Sequence, residues 1–191
     1  MKLDFVKIEE HERSGYAART EYNAKNSDLT IIFVVEPGSA GTKMTKKLAG
    51  PRTVIINMTV QTPASARKIV DQALREFKFS VINIAGNGIV HFSKESHPWK
   101  QEDVNLFILE ALRGLKDHPV KGMRSGGQTG ADLAGIVAGQ VLGIKTIATF
   151  PKNFVQRYEN GKDISHTKEE IEAQILHYVQ ILNGFQETLG I

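Results

Sequence analysis

Eight residues, Ser125-Gly126-Gly127-Gln128-Thr129-Gly130-Ala131-Asp132, carry the densest chemistry in the sequence. They follow an apolar run, Val120–Arg124, and precede a segment of helical spacing, Ala131–Leu142. Glycines between a strand and a helix let the backbone approach a ligand without a Cβ in the way. Successive amide N–H groups then line a concavity, to which a helix N-terminus adds about half a positive charge. A phosphate suits such a site, and the Ser125 and Thr129 hydroxyls add donors. The same spacing also suits a tight strand-to-helix turn packed closely on a sheet, with no ligand. The motif lacks the Gly-Lys-Ser/Thr of a P-loop and the Gly-x-Gly-x-x-Gly of a dinucleotide fold. Gly135 and Gly139, four residues apart inside the helical segment, show that something, sheet or ligand, comes close there.

A second loop of this kind, Glu36-Pro37-Gly38-Ser39-Ala40-Gly41-Thr42, follows the apolar run Leu29–Val35 and opens another helical segment. In an open parallel sheet, ligands lie outside the carboxyl ends of the strands where strand order reverses. Two such loops can flank one crevice, with phosphates on Gly126–Gly130 and Gly38–Thr42 completing it. The expected ligand is phosphate-bearing and nucleotide-like. Glu36 and Asp132 are the carboxylates placed to act as acid or base; Asp132 is equally suited to interact with its helix dipole. Ser125 is not in a Gly-x-Ser-x-Gly elbow, which argues against a hydrolase nucleophile.

The elements that must position these loops are short, near-continuous apolar runs at Leu29–Val35, Thr53–Met58, Ser80–Ala85, Val120–Arg124 and Ile144–Phe150. Such runs suit strands buried on both faces of a parallel sheet. Helical spacing is read over Gly41–Leu48, Pro63–Phe77 (with Thr62 as N-cap), Gln101–Leu115, Ala131–Leu142 (ending at Gly143) and Thr167–Leu182. The alternation predicts an α/β, Rossmann-like, doubly wound and mainly parallel sheet in a single domain of 191 residues. Gly86–Lys100 and Lys152–Ser165 read as mobile loops, with Phe92 and Trp99 able either to stack on a base or to close the core.

With these elements placed, the motifs show a family likeness. Ser125–Asp132, with Leu142-Gly143-Ile144 and Pro151-Lys152, resembles the signature of the SLOG superfamily, closest to its YpsA-like branch, whose members are described as molybdenum-cofactor carriers. Tyr16-Ala-Ala-Arg19-Thr20, Asn23, Ser27-Asp28 and Gly41-Thr42-Lys-Met-Thr45 resemble that branch's second block, and Val81-Ile-Asn-Ile-Ala-Gly86 its third. The blocks stand in reversed order, so the chain is similar to a circular permutant joined anew at Leu115–Val120. The resemblance covers most of residues 14–153. It implies a Rossmann-like fold, binding of a nucleotide or ADP-ribose-type ligand, and self-association as a homodimer. It also implies that Arg19 reaches the ligand phosphate, with Lys152 a comparable candidate; a surface ion pair is the plainer reading of each. Two departures matter. Phosphoribohydrolases of the superfamily carry a glutamate where this chain has Thr45, which cannot act as a carboxylate acid or base and leaves no assigned catalytic residue. Gly86-Asn87-Gly88 stands where the carrier-like branch has an anion-binding arginine. The expected role is therefore sensing, sequestering or carrying a nucleotide-derived ligand. A nucleotide-cleaving enzyme and a molybdenum-cofactor carrier are the alternatives.

Composition narrows the remaining classes. The 24 basic residues nearly match the 21 acidic ones, for a formal charge of +3, and they are dispersed, which argues against a nucleic-acid partner. There is no cysteine, so thiolate metal sites and disulfides are excluded, and none of the six histidines forms the close helical pair of a catalytic zinc site. Met1–Glu10 has no apolar signal-like core and no apolar run is long enough to span a bilayer, so a cytoplasmic, membrane-free protein is expected.

Overall fold

The structure, a computed structural model, describes residues 2–76, 80–96 and 98–189. Strands β1 (Val6–Glu10), β2 (Leu29–Val34), β3 (Thr53–Asn57), β4 (Val81–Gly86), β5 (Gly122–Ser125) and β6 (Thr146–Phe150) form one parallel sheet in the order β1-β6-β5-β4-β2-β3. The five strands read from apolar runs all form. Every residue of β2 is buried, as a central strand covered on both faces requires.

The helices are α1 (Tyr16–Lys25), α2 (Ala40–Ala49), α3 (Pro63–Glu76), α4 (Ile89–Phe92), α5 (Gln101–Leu112), α6 (Ala131–Leu142) and α7 (Lys168–Leu189). The chain steps outward through β1, β2 and β3, then back through β4, β5 and β6. Right-handed crossovers therefore send α1 and α2 to one face and α3, α5 and α6 to the other. The packing agrees, α1 lying against α2, and α3, α5, α6 and α7 forming a continuous layer. This is a doubly wound, Rossmann-like α/β fold. Its switch point is the gap between β2 and β4, whose following helices leave on opposite faces.

Local chemistry sets the helix ends. Ser65 N donates to Thr62 Oγ1 at 3.2 Å, so Thr62 caps α3 as its type predicts. Thr167 and Glu170 form a reciprocal capping box at the start of α7, with bonds of 2.8 and 3.2 Å. Gly143 ends α6 in the left-handed region. The expected last residue of α3, Phe77, lies outside the described residues.

Two elements have no counterpart in the expected set. The strand β1 is an edge strand whose Lys7 and Glu9 pair at the surface, so its charges masked it. The helix α1 carries no apolar stripe, because two of its three buried residues are Arg19 and Asn23. The two stretches read as mobile loops are also built: Gly86–Lys100 contains α4, and the other holds a small hairpin of β7 (Gln156–Arg157) and β8 (Asp163–Ile164). Phe92 is fully buried, and the Trp99 ring packs 6.2 Å from that of Phe92 and 5.7 Å from that of Phe107. These aromatics close the core. No helix among the described residues is long and apolar enough to cross a membrane.

Candidate functional site

The glycine loop after β5 is largely enclosed by protein. Ser125 Oγ lies 2.8 Å from the carbonyl oxygens of both Ile84 and Asp132, so its hydroxyl ties β4 to α6. Gln101 clasps Gly130, accepting from its N–H at 2.6 Å and donating to its carbonyl at 3.0 Å. Gln128 Oε1 accepts from the backbone N–H groups of Thr129 and Arg157, at 3.0 and 2.7 Å. The Thr129 hydroxyl donates to the Arg157 carbonyl, and Gln156 Nε2 donates to the Gly127 carbonyl at 2.7 Å. β7 is thus sewn across the outside of the loop.

The loop's glycines are accounted for by these neighbours. A Cβ on Gly126 would overlap the Arg19 guanidinium, and one on Gly127 would sit 2.5 Å from the Phe150 ring. At Gly130, with φ +91°, a Cβ would meet Asn87 O at 2.5 Å and Ile89 N at 2.6 Å. Gly135 and Gly139 of α6 lie against Ile84 and Thr146, so the close approach signalled by these two residues is to the sheet.

Inside the loop sits a buried ion pair. Arg19 Nη1 on α1 meets Asp132 Oδ2 at 2.5 Å, and the side chains are only 8% and 7% exposed. Burial raises the Asp132 carboxyl above the ordinary carboxylate range, opposed by Arg19 and by the backbone N–H groups of Gln128 and Gly86 that face it. The group within the amide concavity is thus the protein's own Asp132 carboxyl.

The second loop is open. Ser39 caps α2, its Oγ accepting from Thr42 N at 3.3 Å. Asn87 staples this loop to β4: its Oδ1 accepts from the N–H groups of Val35 and Glu36 at 2.9 and 2.8 Å, and its Nδ2 donates to Ser39 Oγ and Thr42 Oγ1 at 3.1 and 3.2 Å. A Cβ on Gly38 or Gly41 would meet nothing within 4 Å. Glu36 turns to Lys94 and His91, and hydrogen bonding to Lys94 holds its carboxyl below the usual range. Lys152 lies exposed after β6.

Between the loops, under α1 and α2, is a cavity of about 90 Å³. Arg19, Asn23, Thr45, Asn83, Gly126 and Asp132 are among the residues lining it, with Tyr16 and Gly41 at its mouth. Asn23 is 2% exposed, and neither its amide nitrogen nor its amide oxygen has a partner. Arg19 Nε is likewise buried and unpartnered. Arg19, Gly41, Gly126 and Asp132, four residues read as site residues from the sequence, meet here. Ser125, Gln128 and Thr129 serve the fold of the loop, and Glu36 and Lys152 are not among the residues lining the cavity. Sequence reasoning missed Asn23, Asn83 and Asn87 as site residues. The signal was present in Asn83, an amide inside the apolar run Val81–Ala85. Among the described residues no group of three or more histidines and carboxylates is placed to hold a metal.

Fold and pocket together define a Rossmann-like α/β protein with a polar crevice at the switch point of its sheet. Residues 3–96, which include α1, α2 and Asn87, match the model of the circularly permutated YpsA SLOG family. No curated protein and no solved structure matches it.

Proposed function

We propose that this protein binds a phosphate-bearing, nucleotide-derived ligand of the ADP-ribose type in the crevice between α1 and α2, as a sensor, sequestering or carrier protein. The observation that carries the reading is Asn23. A carboxamide with both polar atoms buried and unpaired costs stability unless something else completes its hydrogen bonds. Its place in a cavity at the switch point is where open α/β sheets take ligands. The cavity of about 90 Å³ admits one compact group, a phosphate or a sugar. The rest of a nucleotide extends over the exposed Glu36–Thr42 loop, past the first turn of α2.

Binding is favoured over N-glycosidic cleavage by the state of the carboxylates. Asp132, the one carboxylate lining the cavity, is tied to Arg19. Thr45, in the position of the missing glutamate, donates its hydroxyl to the Gly41 carbonyl at 3.0 Å. Glu36 is engaged by Lys94 and His91.

The test is a thermal-shift screen with ADP-ribose, cyclic ADP-ribose, NAD and AMP, each recovered afterwards by chromatography. A ligand at one hundred times its Kd stabilises the fold by about 2.7 kcal/mol. The expected result is a shift with the ligand recovered intact, abolished in Asn23→Leu. Cleaved product would make the protein an enzyme, and no shift with any nucleotide would reject the reading.

A further inference from the structure

The layer between α1 and the sheet holds a second buried arginine. Arg124, on β5, is 7% exposed. Its Cα partner on β4 is Asn83, and Gly126, two residues on, lies just beyond the end of β5; both line the cavity. Its guanidinium carbon lies 4.9 Å from the centre of the Tyr22 ring, which covers it from α1. Its Nη1 is buried without a hydrogen-bond partner. Among the described residues no carboxylate comes within ion-pair distance of it: Asp132 is taken by Arg19, and Glu9, two strands away, by Lys7 at 2.6 Å.

A guanidinium cannot shed its charge by losing a proton, and a lone buried cation is strongly disfavoured. Stacking on Tyr22 offsets only part of that cost. The other orphaned groups of the layer are Asn23, Arg19 Nε and Thr149 Oγ1, the last on the neighbouring strand and the same sheet face. Two buried arginines with one carboxylate between them leave room for one more negative charge.

We propose that Arg124 is a specificity-determining residue of this site: with Asn23 it receives a phosphate group of the ligand beneath α1 and so discriminates against the uncharged nucleoside. This rests on the reading that the cavity takes a ligand. A guanidinium matches phosphate oxygens in geometry as well as charge.

The experiment uses calorimetric titration of the full chain and its Arg124→Met variant with inorganic phosphate, ADP-ribose and adenosine at constant ionic strength. The unliganded Tm of each is also measured. Arg124→Met is expected to weaken inorganic phosphate and ADP-ribose about tenfold or more, and to leave any binding of adenosine unchanged. Because it removes an uncompensated buried charge, it is also expected to raise the unliganded Tm by about 2–4 °C. A variant that binds both phosphate-bearing probes like the parent overturns the proposal. So does a lowered Tm or a failure to fold, since either would mean that Arg124 is already satisfied within the protein. If the parent binds inorganic phosphate through Arg124 but ignores ADP-ribose, the inference stands and the nucleotide reading falls. If ADP-ribose binds regardless of Arg124, the reverse holds, and a parent that binds neither probe overturns both.

Discussion

The two glycine-rich loops look alike in sequence and behave as opposites in the fold. Gly126, Gly127 and Gly130 follow β5 and are buried, whereas Gly38 and Gly41 follow β2 and are exposed. In the first loop the space a side chain would take is filled by Arg19, by the Phe150 ring and by the backbone of Asn87–Ile89; in the second it is empty. Glycine thus does two jobs at the carboxyl ends of one sheet. After β5 it lets protein pack on protein, and after β2 it stands exposed at a helix start with open space around it. The denser motif builds the scaffold and lends Gly126 and Asp132 to the crevice wall, whereas the sparser one lies open beside it with Gly41.

The sharpest way to break this comparison is Gly130→Ala. Gly130 combines φ +91° and ψ −133°, a region open essentially to glycine alone, with backbone atoms 2.5 to 2.7 Å from where the methyl would go. Neither neighbour is a flexible side chain that could swing away. The substitution is expected to cost about 4 kcal/mol or more, read by chemical denaturation. A cost under about 1 kcal/mol would show that the loop can relax, and that its closed packing is not what requires glycine.

This contrast also marks what was legible in the sequence. The apolar runs that became β2 through β6 were readable because strands of a helix-covered parallel sheet carry near-continuous apolar residues and leave no alternation to misread, even at the edge strand β3, where only Ile56 is buried. β1 and α1 were not, for a shared reason. The edge strand carries Lys7 and Glu9, and α1 buries Arg19 and Asn23, so neither shows the apolar period that marks an element. The candidate site was hidden by its own polar lining, since a helix packed on a polar pocket has no apolar stripe. In the site itself, Arg19 and Asp132 were legible as residues but not as partners, 113 positions apart in the chain. Asn87 was legible only as a departure from a family pattern. Its five hydrogen bonds to the β2 loop depend on β2 and β4 being neighbours, which no local spacing reveals.

A smaller effect, of opposite sign, is expected at the open loop. Gly41 sits in the first turn of α2 with nothing within 4 Å of where a methyl would stand, so Gly41→Ala relieves backbone entropy without a clash. A gain of about 0.5–1 kcal/mol is expected by denaturation. Because Gly41 lines the cavity mouth, the same methyl is expected to reduce the thermal shift produced by ADP-ribose. Stabilisation with undiminished binding would move the ligand away from this loop, and destabilisation would mean that the loop is closed like its counterpart.

The smallest effect concerns what seals the first loop. Asp163 on β8 holds Arg157 through bonds of 2.8 and 2.9 Å and accepts from the Tyr16 hydroxyl at 2.8 Å, while Arg157 lies 5.4 Å from the Tyr16 ring centre. Hydrogen bonding to Arg157, against a weaker opposition from burial, sets the Asp163 carboxyl below its ordinary value of 3.8. A depressed carboxylate stabilises the fold above its ordinary value, and that contribution fades as pH falls through the lower folded value. The network is exposed, so Asp163→Asn is expected to cost no more than about 0.5 kcal/mol at pH 7, with the difference vanishing in acid. The bonds that close the loop itself, Gln156 to Gly127 and Arg157 N to Gln128, do not involve Asp163. Amide hydrogen exchange over Gly126–Gly130 should therefore be unchanged in the variant. Faster exchange there would show that the surface network, and not the backbone stitching, keeps the first loop shut, and the two loops would then differ in degree and not in kind.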